Sequence, residues 1–273
     1  MLLGLVLSAA IGLVAYRRES LSASGVVGAM VVGTLIFGFG GWVWGLLLIA
    51  FFVLSSLLSH YRQAEKRDLA EKFAKGGRRD WAQALANGSL GAILALTYFL
   101  RPSPILFVAF VGAMAAVTAD TWGTELGVLS PTYPRLITNW EQVEPGTSGG
   151  ISTMGTVAST VGALLIGVLA LLLDLVGGAI ATGSVMGYQR GLPALALAAG
   201  LAGSLFDSWL GATVQAMFYC PNCGKETEKT LHGCGRSTIH VRGWLWLQND
   251  LVNFASSAVG AGVAAGLYTL FNL

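Results

Sequence analysis

Hydrophobic residues in this chain form long uninterrupted runs rather than the mixed apolar and polar patterns of soluble proteins. Residues 24–59 contain no Asp, Glu, Lys or Arg over 36 positions. At 1.5 Å per residue, a single helix of this length would reach about 54 Å, well beyond a hydrocarbon core of about 30 Å. The run therefore predicts two membrane-spanning helices, and the glycine-rich stretch "FGFGG" at 37–41 predicts the turn between them.

A second helical hairpin is predicted in the same way. Residues 82–119 carry one charge, Arg101, within the stretch "RPSP", and these prolines end one helix and let another begin. Applied along the chain, this reasoning predicts an all-α, polytopic membrane helix bundle. Its eight predicted spans are residues 2–16, 24–40, 42–59, 83–100, 104–119, 153–176, 191–217 and 250–271.

Composition agrees with a membrane protein. The 273 residues are 54% hydrophobic and 11% charged, with a mean hydropathy of +0.67, whereas soluble domains carry about 25% charged residues. We expect one integral membrane domain over residues 1–273 and no nucleic-acid partner. Residues 2–16 are interpreted as a span rather than a cleaved signal peptide, because Arg17 and Arg18 follow the apolar run instead of preceding it.

The basic residues predict the orientation in the membrane. If the N-terminus lies outside, 14 of the 16 Lys and Arg residues face the cytoplasm, as the positive-inside rule requires. Both termini are then expected outside. Residues 61–80 form a basic amphipathic segment that we expect on the inner leaflet. The predicted cytoplasmic segments are 17–23, 60–82, 120–152 and 218–249.

Small residues recur at every fourth position in two predicted spans, which lets helix backbones approach closely in lipid. The predicted bundle is therefore tight. These residues are Gly155, Ser159, Ala163 and Gly167 in one span and Gly200, Ser204, Ser208, Ala212 and Ala216 in the other.

Three carboxylates stand at or inside the cytoplasmic half of the predicted bundle. Asp120 and Glu125, in "ADTWGTELG", follow the fifth span, where a solvated helix end would also explain them. Asp207, in "GSLFDSWLGA", lies inside the seventh span, where a carboxylate costs about 2.5 to 3.5 kcal/mol on insertion scales. Asp207 could meet a metal shared with Asp120 only through an inward cavity or a seventh helix broken near Gly203 or Gly211.

The last span begins with polar residues in the stretch "NDLVNFASSA". Asn249, Asn253 and Ser257 share one helical face there. Asp250 either joins them in a site or stabilises the positive end of the helix dipole. All four lie on the same predicted cytoplasmic side as the carboxylates.

A loop rich in Gly, Ser and Thr, "EPGTSGGIS", leads directly into the sixth span. Its amides and hydroxyls either bind an anion at the helix N-terminus or cap the helix. Arg135 is the cation of the same predicted loop and is expected to meet a phosphate. The phosphate-binding candidates in the loop are Gly146, Thr147, Ser148, Gly149 and Gly150.

Together, the carboxylates, the glycine-rich loop and the polar helix face predict a site for magnesium and a nucleotide or diphosphate. Its catalytic candidates are Asp120, Glu125, Asp207 and Asp250, and the first three of these are the predicted Mg²⁺ ligands. Asn249 and Asn253 are predicted to contact the nucleotide.

All three cysteines lie in the stretch "CPNCGKETEKTLHGCG". The C-x-x-C spacing of Cys220 and Cys223, with Cys234 downstream, is typical of structural zinc sites. An odd cysteine count in a cytoplasmic loop argues against structural disulfides. His232 is the predicted fourth Zn²⁺ ligand and His240 is the alternative, while unligated thiols in a knuckle turn would also explain the pattern.

At these residues the sequence resembles the membrane family of domain of unknown function 92, which includes the phytyl-phosphate kinase of tocopherol synthesis. The resemblance covers nearly the whole chain and is carried by "ADTWGTELG", "EPGTSGGIS", "GSLFDSWLGA", "CPNCG…HGCG" and "NDLVNF". It implies a kinase that uses CTP to phosphorylate a prenyl monophosphate. A more distant similarity to dolichol kinases and to CTP-using phosphatidate cytidylyltransferases implies that the acidic motifs bind metal and nucleotide.

Two other functions remain open at the level of sequence. A cytidylyltransferase would attack the α-phosphorus of the same CTP and release pyrophosphate. A transporter could also use an intramembrane Asp among glycine-rich helices. The polar groups gather on one side rather than at the midplane, which favours an enzyme that meets a lipid phosphate and a soluble nucleotide at the inner interface.

Overall fold

The computed structural model describes residues 1–66, 77–181 and 190–272, with the backbone alone at 178–181. It confirms an all-α, polytopic membrane bundle. The helices are α1 (Leu2–Arg17), α2 (Ala23–Leu35), α3 (Trp42–His60), α4 (Gln63–Lys66), α5 (Trp81–Leu100), α6 (Pro104–Gly127), α7 (Thr153–Ala181), α8 (Leu192–Thr213) and α9 (Asn249–Leu270), with a π-helical turn at Ile36–Gly40.

Within the described chain, seven helices are long and apolar enough to cross a membrane, namely α2 with its π-helical turn, α3 and α5 to α9. The first predicted span, 2–16, is the apolar helix α1 of 16 residues, shorter than the ~20 residues that a hydrocarbon core requires. Both predicted hairpin turns are confirmed. Gly41, at φ +86°, separates α2 and its π-helical turn from α3, and "RPSP" separates α5 from α6.

Helix α6 forms the centre of the bundle. Every residue from Phe107 to Ala119 is buried, and α6 contacts α3, α5, α7, α8 and α9. Phe110 and Met114 are fully enclosed, and Trp44 of α3 stacks on Phe110 with 4.4 Å between ring centroids. A helix that is apolar on all faces is expected to occupy such a central position.

Close helix packing follows the small residues that the sequence singled out. A Cβ atom on Gly200 would lie 2.4 Å from the Ala163 Cβ, and the hydroxyls of Ser159 and Ser204 are 3.3 Å apart. Helices α7 and α8 therefore touch through the central residues of these two stripes. Gly155 packs instead against Gly123 of α6, Ala212 packs against Gly149 of the loop, and Ala216 lies beyond the end of α8 at Thr213.

Two predicted span boundaries are wrong. Helix α6 continues to Gly127 rather than ending near residue 119, because the polar residues of its last turns line a cavity and avoid lipid. Helix α8 ends at Thr213 rather than near residue 217, because the chain turns there into a strand that begins at Met217.

Two small antiparallel sheets lie between the helices. The first pairs β1 (Arg135–Leu136) with β2 (Gly150–Ile151), which fixes both ends of the loop between α6 and α7. The second has the order β4-β3-β5, formed by β3 (Met217–Cys220), β4 (Lys225–Thr227) and β5 (Ile239–Arg242). The predicted amphipathic segment 61–80 is described at 61–66, which includes α4, and at 77–80, and its central part, 67–76, lies outside the described residues.

Candidate active site

A cavity of about 140 Å³ lies where the C-terminal ends of α6 and α8 meet the N-terminal ends of α7 and α9. The loop before α7 and the strand segment after α8 complete its wall. Its polar lining comprises Asp120, Thr124, Thr147, Ser148, Ser152, Thr156, Ser159, Ser204, Asp207, Ser208, Gln215, Glu228 and Asn249, together with backbone of the glycine-rich loop. Most of the predicted polar segments therefore meet at one place.

Asp120 and Asp207 face this cavity from adjacent helices. Each is half-buried, and their carboxylates are close enough to repel each other electrostatically. The Ser256 hydroxyl, on α9, donates a hydrogen bond of 2.9 Å to Asp207 Oδ2. Asp207 is thus held from α9 and exposed to the cavity.

The structure also explains how Asp207 reaches a polar site. Helix α8 is continuous from Leu192 to Thr213, so of the two predicted alternatives the structure shows the inward cavity and not a helix break near Gly203 or Gly211. Asp207 lies six residues before the helix end, which is about 9 Å of helix. The predicted span 191–217 would instead put about 15 Å of helix after Asp207, which is too much because α8 ends at Thr213.

Glu228 is a third carboxylate in the cavity that sequence reasoning missed. It follows β4 directly and accepts a hydrogen bond of 2.8 Å from Gln215 Nε2, and its charge acts on both Asp120 and Asp207. In the sequence it belongs to the charged stretch "KETEK", which resembles a solvated loop. The sequence offered one signal for such a residue, namely Gln215, a polar residue within the predicted span 191–217. Its side chain is buried in the structure, and a buried amide needs a polar partner.

The glycine-rich loop packs directly against α8. Gly149 has φ +82°, and a Cβ there would lie 2.5 Å from the backbone nitrogen of Ala212. The Ser148 hydroxyl lies 3.5 Å from Gln215 Oε1. A residue larger than glycine at position 149 would push the loop away from the cavity wall, so this contact explains why the loop needs glycine there.

The structure shows the capping role predicted for this loop, and anion binding stays a prediction. The Ser152 hydroxyl accepts a hydrogen bond of 3.1 Å from the Gly155 amide and so caps the start of α7. The amides of Thr147 and Gly150 donate within the loop. Those of Ser148 and Gly149 donate no backbone hydrogen bond to the described residues, and they are therefore the amides most suited to an anion.

Several predicted site residues lie outside the cavity lining. The Glu125 carboxylate forms an ion pair of 2.7 Å with Lys66 and accepts a hydrogen bond of 2.5 Å from Ser59. The Arg135 guanidinium donates to the Trp140 carbonyl. Asp250 lies in the first turn of α9, as its helix-dipole interpretation requires, and it does not line the cavity, nor does Asn253.

The charge balance of the cavity indicates which groups it can bind. Three carboxylates line it, and the described part of the lining contains no Lys or Arg. Carboxylates brought together in a membrane protein are costly unless a cation or proton offsets them. Oxygen ligands of this kind suit Mg²⁺, which binds through a few carboxylates and takes its remaining ligands from phosphates and water. Asp120, Asp207 and Glu228 are therefore the candidate carboxylates for Mg²⁺, although among the described residues only the cysteine cluster gathers its ligand atoms within 4.8 Å of one another.

The cysteine cluster lies beside this cavity, on the segment that carries Glu228. Cys220, Cys223, His232 and Cys234 each place a ligand atom within 4.8 Å of the others. The Sγ atoms of Cys220 and Cys234 are 3.7 Å apart, far beyond a disulfide bond and close to the ~3.8 Å between two thiolates on a tetrahedral Zn²⁺ with 2.3 Å bonds. The four residues therefore fit a zinc site.

The alternative ligand His240 lies elsewhere, with its ring against Phe218 at 5.5 Å between centroids. Hydrogen bonds from the Arg236 backbone and the His232 side chain lower the pKa of Cys234 to about 6. The thiolate, which is the form that binds metals, is thus favoured at neutral pH. Of the two histidines, the structure brings His232 to the cysteines.

Comparison with known proteins gives consistent matches over the chain. The family model described as "Integral membrane protein DUF92" matches residues 6–261. Protein PGR of Arabidopsis thaliana is 33% identical over 270 residues, covering 94% of this chain and 92% of that protein. An uncharacterized membrane protein of Methanocaldococcus jannaschii is 34% identical over 196 residues, covering 72% of this chain and 75% of that protein.

Protein VTE6, chloroplastic, of Arabidopsis thaliana is 25% identical over 251 residues, which cover 89% of this chain and 64% of that protein. No solved structure matches the chain. The matched residues include α6 to α8, the cysteine cluster and the polar start of α9.

Proposed function

The chain belongs to the integral membrane family DUF92, and on this premise we propose that it is a membrane phosphotransferase. The proposed reaction moves the terminal phosphate of CTP to a prenyl monophosphate and yields CDP and the prenyl diphosphate. One observation carries the proposal, namely the cavity in which Asp120, Asp207 and Glu228 face the glycine-rich loop.

The donor nucleotide would bind with its phosphates between the loop and the carboxylates. The amides of Ser148 and Gly149 and the loop hydroxyls can donate hydrogen bonds to phosphate oxygens. A bound Mg²⁺ would neutralise negative charge on the transferring phosphate and hold donor and acceptor together. Asp120, Asp207 and Glu228 would hold this ion, and the Ser256 hydroxyl keeps Asp207 oriented toward it.

The acceptor would approach from the membrane. Leu201 and Leu205 of α8 also line the cavity, and Leu205 is 42% exposed on the outer surface of the bundle. A polar cavity with an apolar border suits an amphiphile that keeps its chain in lipid and its phosphate at the interface. A prenyl monophosphate has this chemistry.

The chemical step needs positioning more than a strong base. An oxygen of the acceptor phosphate attacks the terminal phosphorus of CTP, one P–O bond forms, the bond from that phosphorus to the bridging oxygen breaks, and CDP leaves. A phosphate monoester is already ionised at neutral pH, so alignment and charge neutralisation supply most of the rate. The carboxylates therefore act as metal ligands in this proposal.

The cysteine cluster would have a structural role. Zn²⁺ held by Cys220, Cys223, His232 and Cys234 would fix the loop that carries Glu228. Zinc in such closed four-ligand sites contributes directly to folding stability.

Product analysis tests the proposal. Purified protein is incubated with Mg²⁺, a prenyl monophosphate series and CTP labelled at either the α- or the γ-phosphorus. The proposal predicts that γ-label appears in a prenyl diphosphate and α-label in CDP. A CDP-lipid with released pyrophosphate would instead identify a cytidylyltransferase. Absence of label transfer to every acceptor, from protein shown to be folded, would reject both enzymes.

A further inference from the structure

A second cavity, of about 80 Å³, lies among α1, α2, α3 and α5, on elements separate from the proposed active site. Its walls are mainly apolar, with Val32, Leu48 and Phe52 among them, and also include the polar residues Gln83 and Asn87. Arg79 is the charged residue among its described lining. The combination of apolar walls and one guanidinium is unusual for a space between membrane helices, where a cation is costly without a partner.

The backbone of Arg79 is held firmly by the turn between α1 and α2. Its amide donates to the Ser20 carbonyl and its carbonyl accepts from the Ser22 amide, both at 3.0 Å. A Cβ on Gly25 would lie 2.1 Å from the Arg79 carbonyl oxygen, so α2 also packs against this segment. These contacts fix the Arg79 backbone and therefore the point from which its side chain extends toward the cavity.

The side chain of Arg79 is half-buried and only partly satisfied by described residues. Its guanidinium lies over the rings of Phe51 and Phe52, at 5.7 and 5.6 Å from their centroids. One of its nitrogens donates to the Ser56 hydroxyl at 3.2 Å. A guanidinium has five N–H donors, and in the described chain this is the one side-chain hydrogen bond that Arg79 donates.

Among the described groups around Arg79, positive charge is in excess. Glu125 is close enough to act electrostatically on Arg79, but its carboxylate pairs directly with Lys66. Among these described groups, two cations therefore face one carboxylate. An anion with two or three oxygens, such as a phosphate, would match both the charge and the forked geometry of the remaining donors.

We propose that this cavity binds an anionic membrane lipid, with one hydrocarbon chain between α1, α2, α3 and α5 and its phosphate against Arg79. The apolar walls select for a chain, and the guanidinium selects for an anionic head group. This site is independent of the proposed phosphotransfer, because none of its lining residues lines the carboxylate cavity.

The test uses native mass spectrometry of the delipidated full chain, titrated with dioleoyl phosphatidic acid or dioleoyl phosphatidylcholine. Wild type is expected to bind phosphatidic acid more tightly than phosphatidylcholine. Arg79→Gln should weaken phosphatidic acid binding by about tenfold or more, since charge-assisted hydrogen bonds to the phosphate are lost. Arg78→Gln is the matched control, because Arg78 is exposed and pairs with Glu19.

A second variant tests the chain pocket without removing the charge. Ala29 lines the cavity, and Ala29→Leu should fill it and weaken phosphatidic acid binding while Arg79 remains. Millimolar inorganic phosphate should not displace the lipid from wild type. Equal binding of the two lipids, displacement by inorganic phosphate, or unchanged binding in folded Arg79→Gln or Ala29→Leu would overturn the proposal. Melting temperatures establish that each variant is folded.

Discussion

Among single residues, Glu228 is the clearest case of a site residue that the structure reveals and the sequence does not indicate. Its carboxylate reaches the cavity of Asp120 and Asp207, whereas Glu226, two positions earlier, is exposed. Alternation along a strand would put residues two positions apart on one face, but β4 ends at Thr227, so Glu228 lies beyond the strand and its side chain reaches a different environment from that of Glu226. The stretch "KETEK" gives no indication of which one faces inward.

Glu228→Gln should weaken divalent cation binding by about tenfold, within the range typical of lost metal-supporting groups. The Gln side chain keeps an oxygen that can accept from Gln215, so the change removes charge with little change of shape. Titration of Mn²⁺ followed by electron paramagnetic resonance measures this affinity without turnover. Glu226→Gln is the control and should bind Mn²⁺ as wild type does; equal losses in both variants would contradict a specific role for Glu228.

At the scale of elements, the contact between the glycine-rich loop and α8 shapes the cavity. Gly149→Ala should raise the KM for CTP, because the new Cβ would meet the Ala212 backbone and the residue would be strained at positive φ, at a cost of about 1 kcal/mol or more. Steady-state kinetics on folded protein measure this. Gly262→Ala in α9 is the control, since a Cβ there meets nothing within 4 Å. An unchanged KM in Gly149→Ala would show that the loop does not hold the nucleotide.

The cysteine cluster belongs to the same chain segment as one wall of this cavity, because Glu228 lies between Cys223 and His232 in the sequence. His232→Gln should lower bound zinc, the melting temperature and Mn²⁺ affinity together, since the zinc loop positions Glu228. His240→Gln should keep its zinc, because His240 lies outside the cluster. Elemental analysis measures the bound zinc, and thermal unfolding measures the melting temperature of each variant. Wild-type protein purified without zinc would refute the structural role.

The sequence predicted elements better than it predicted the site, for a physical reason. Apolar runs and the residues Gly41 and Pro104 mark the helices and turns locally, so the bundle could be predicted. The lengths of α6 and α8 could not, because polar residues such as Asp120 continue a helix when a cavity shelters them from lipid. The ion pair of Glu125 with Lys66 joins residues far apart in sequence, and no local pattern reveals such a contact.

At the scale of the whole molecule, the carboxylate cavity, the glycine-rich loop and the cysteine cluster lie at one end of the bundle. The distribution of basic residues predicts that this end faces the cytoplasm. In right-side-out vesicles, a membrane-impermeant maleimide should label Arg101→Cys. The native Cys223, exposed in the structure, should react only after permeabilisation and zinc removal. Labelling of Cys223 in sealed vesicles would reverse the proposed orientation.

The proposed phosphotransfer depends on the two aspartates that α6 and α8 bring to one cavity. Transfer of γ-label from CTP to a prenyl monophosphate is the measurement that tests this most directly, compared among wild type, Asp120→Asn, Asp207→Asn and Glu226→Gln. We predict a loss of about 10²-fold or more in kcat for each aspartate variant, because charge stabilisation of the transferring phosphate is lost. Glu226→Gln should transfer label at the wild-type rate. Folded Asp120→Asn or Asp207→Asn that transfers label at that rate, with unchanged Mg²⁺ dependence, would contradict the account.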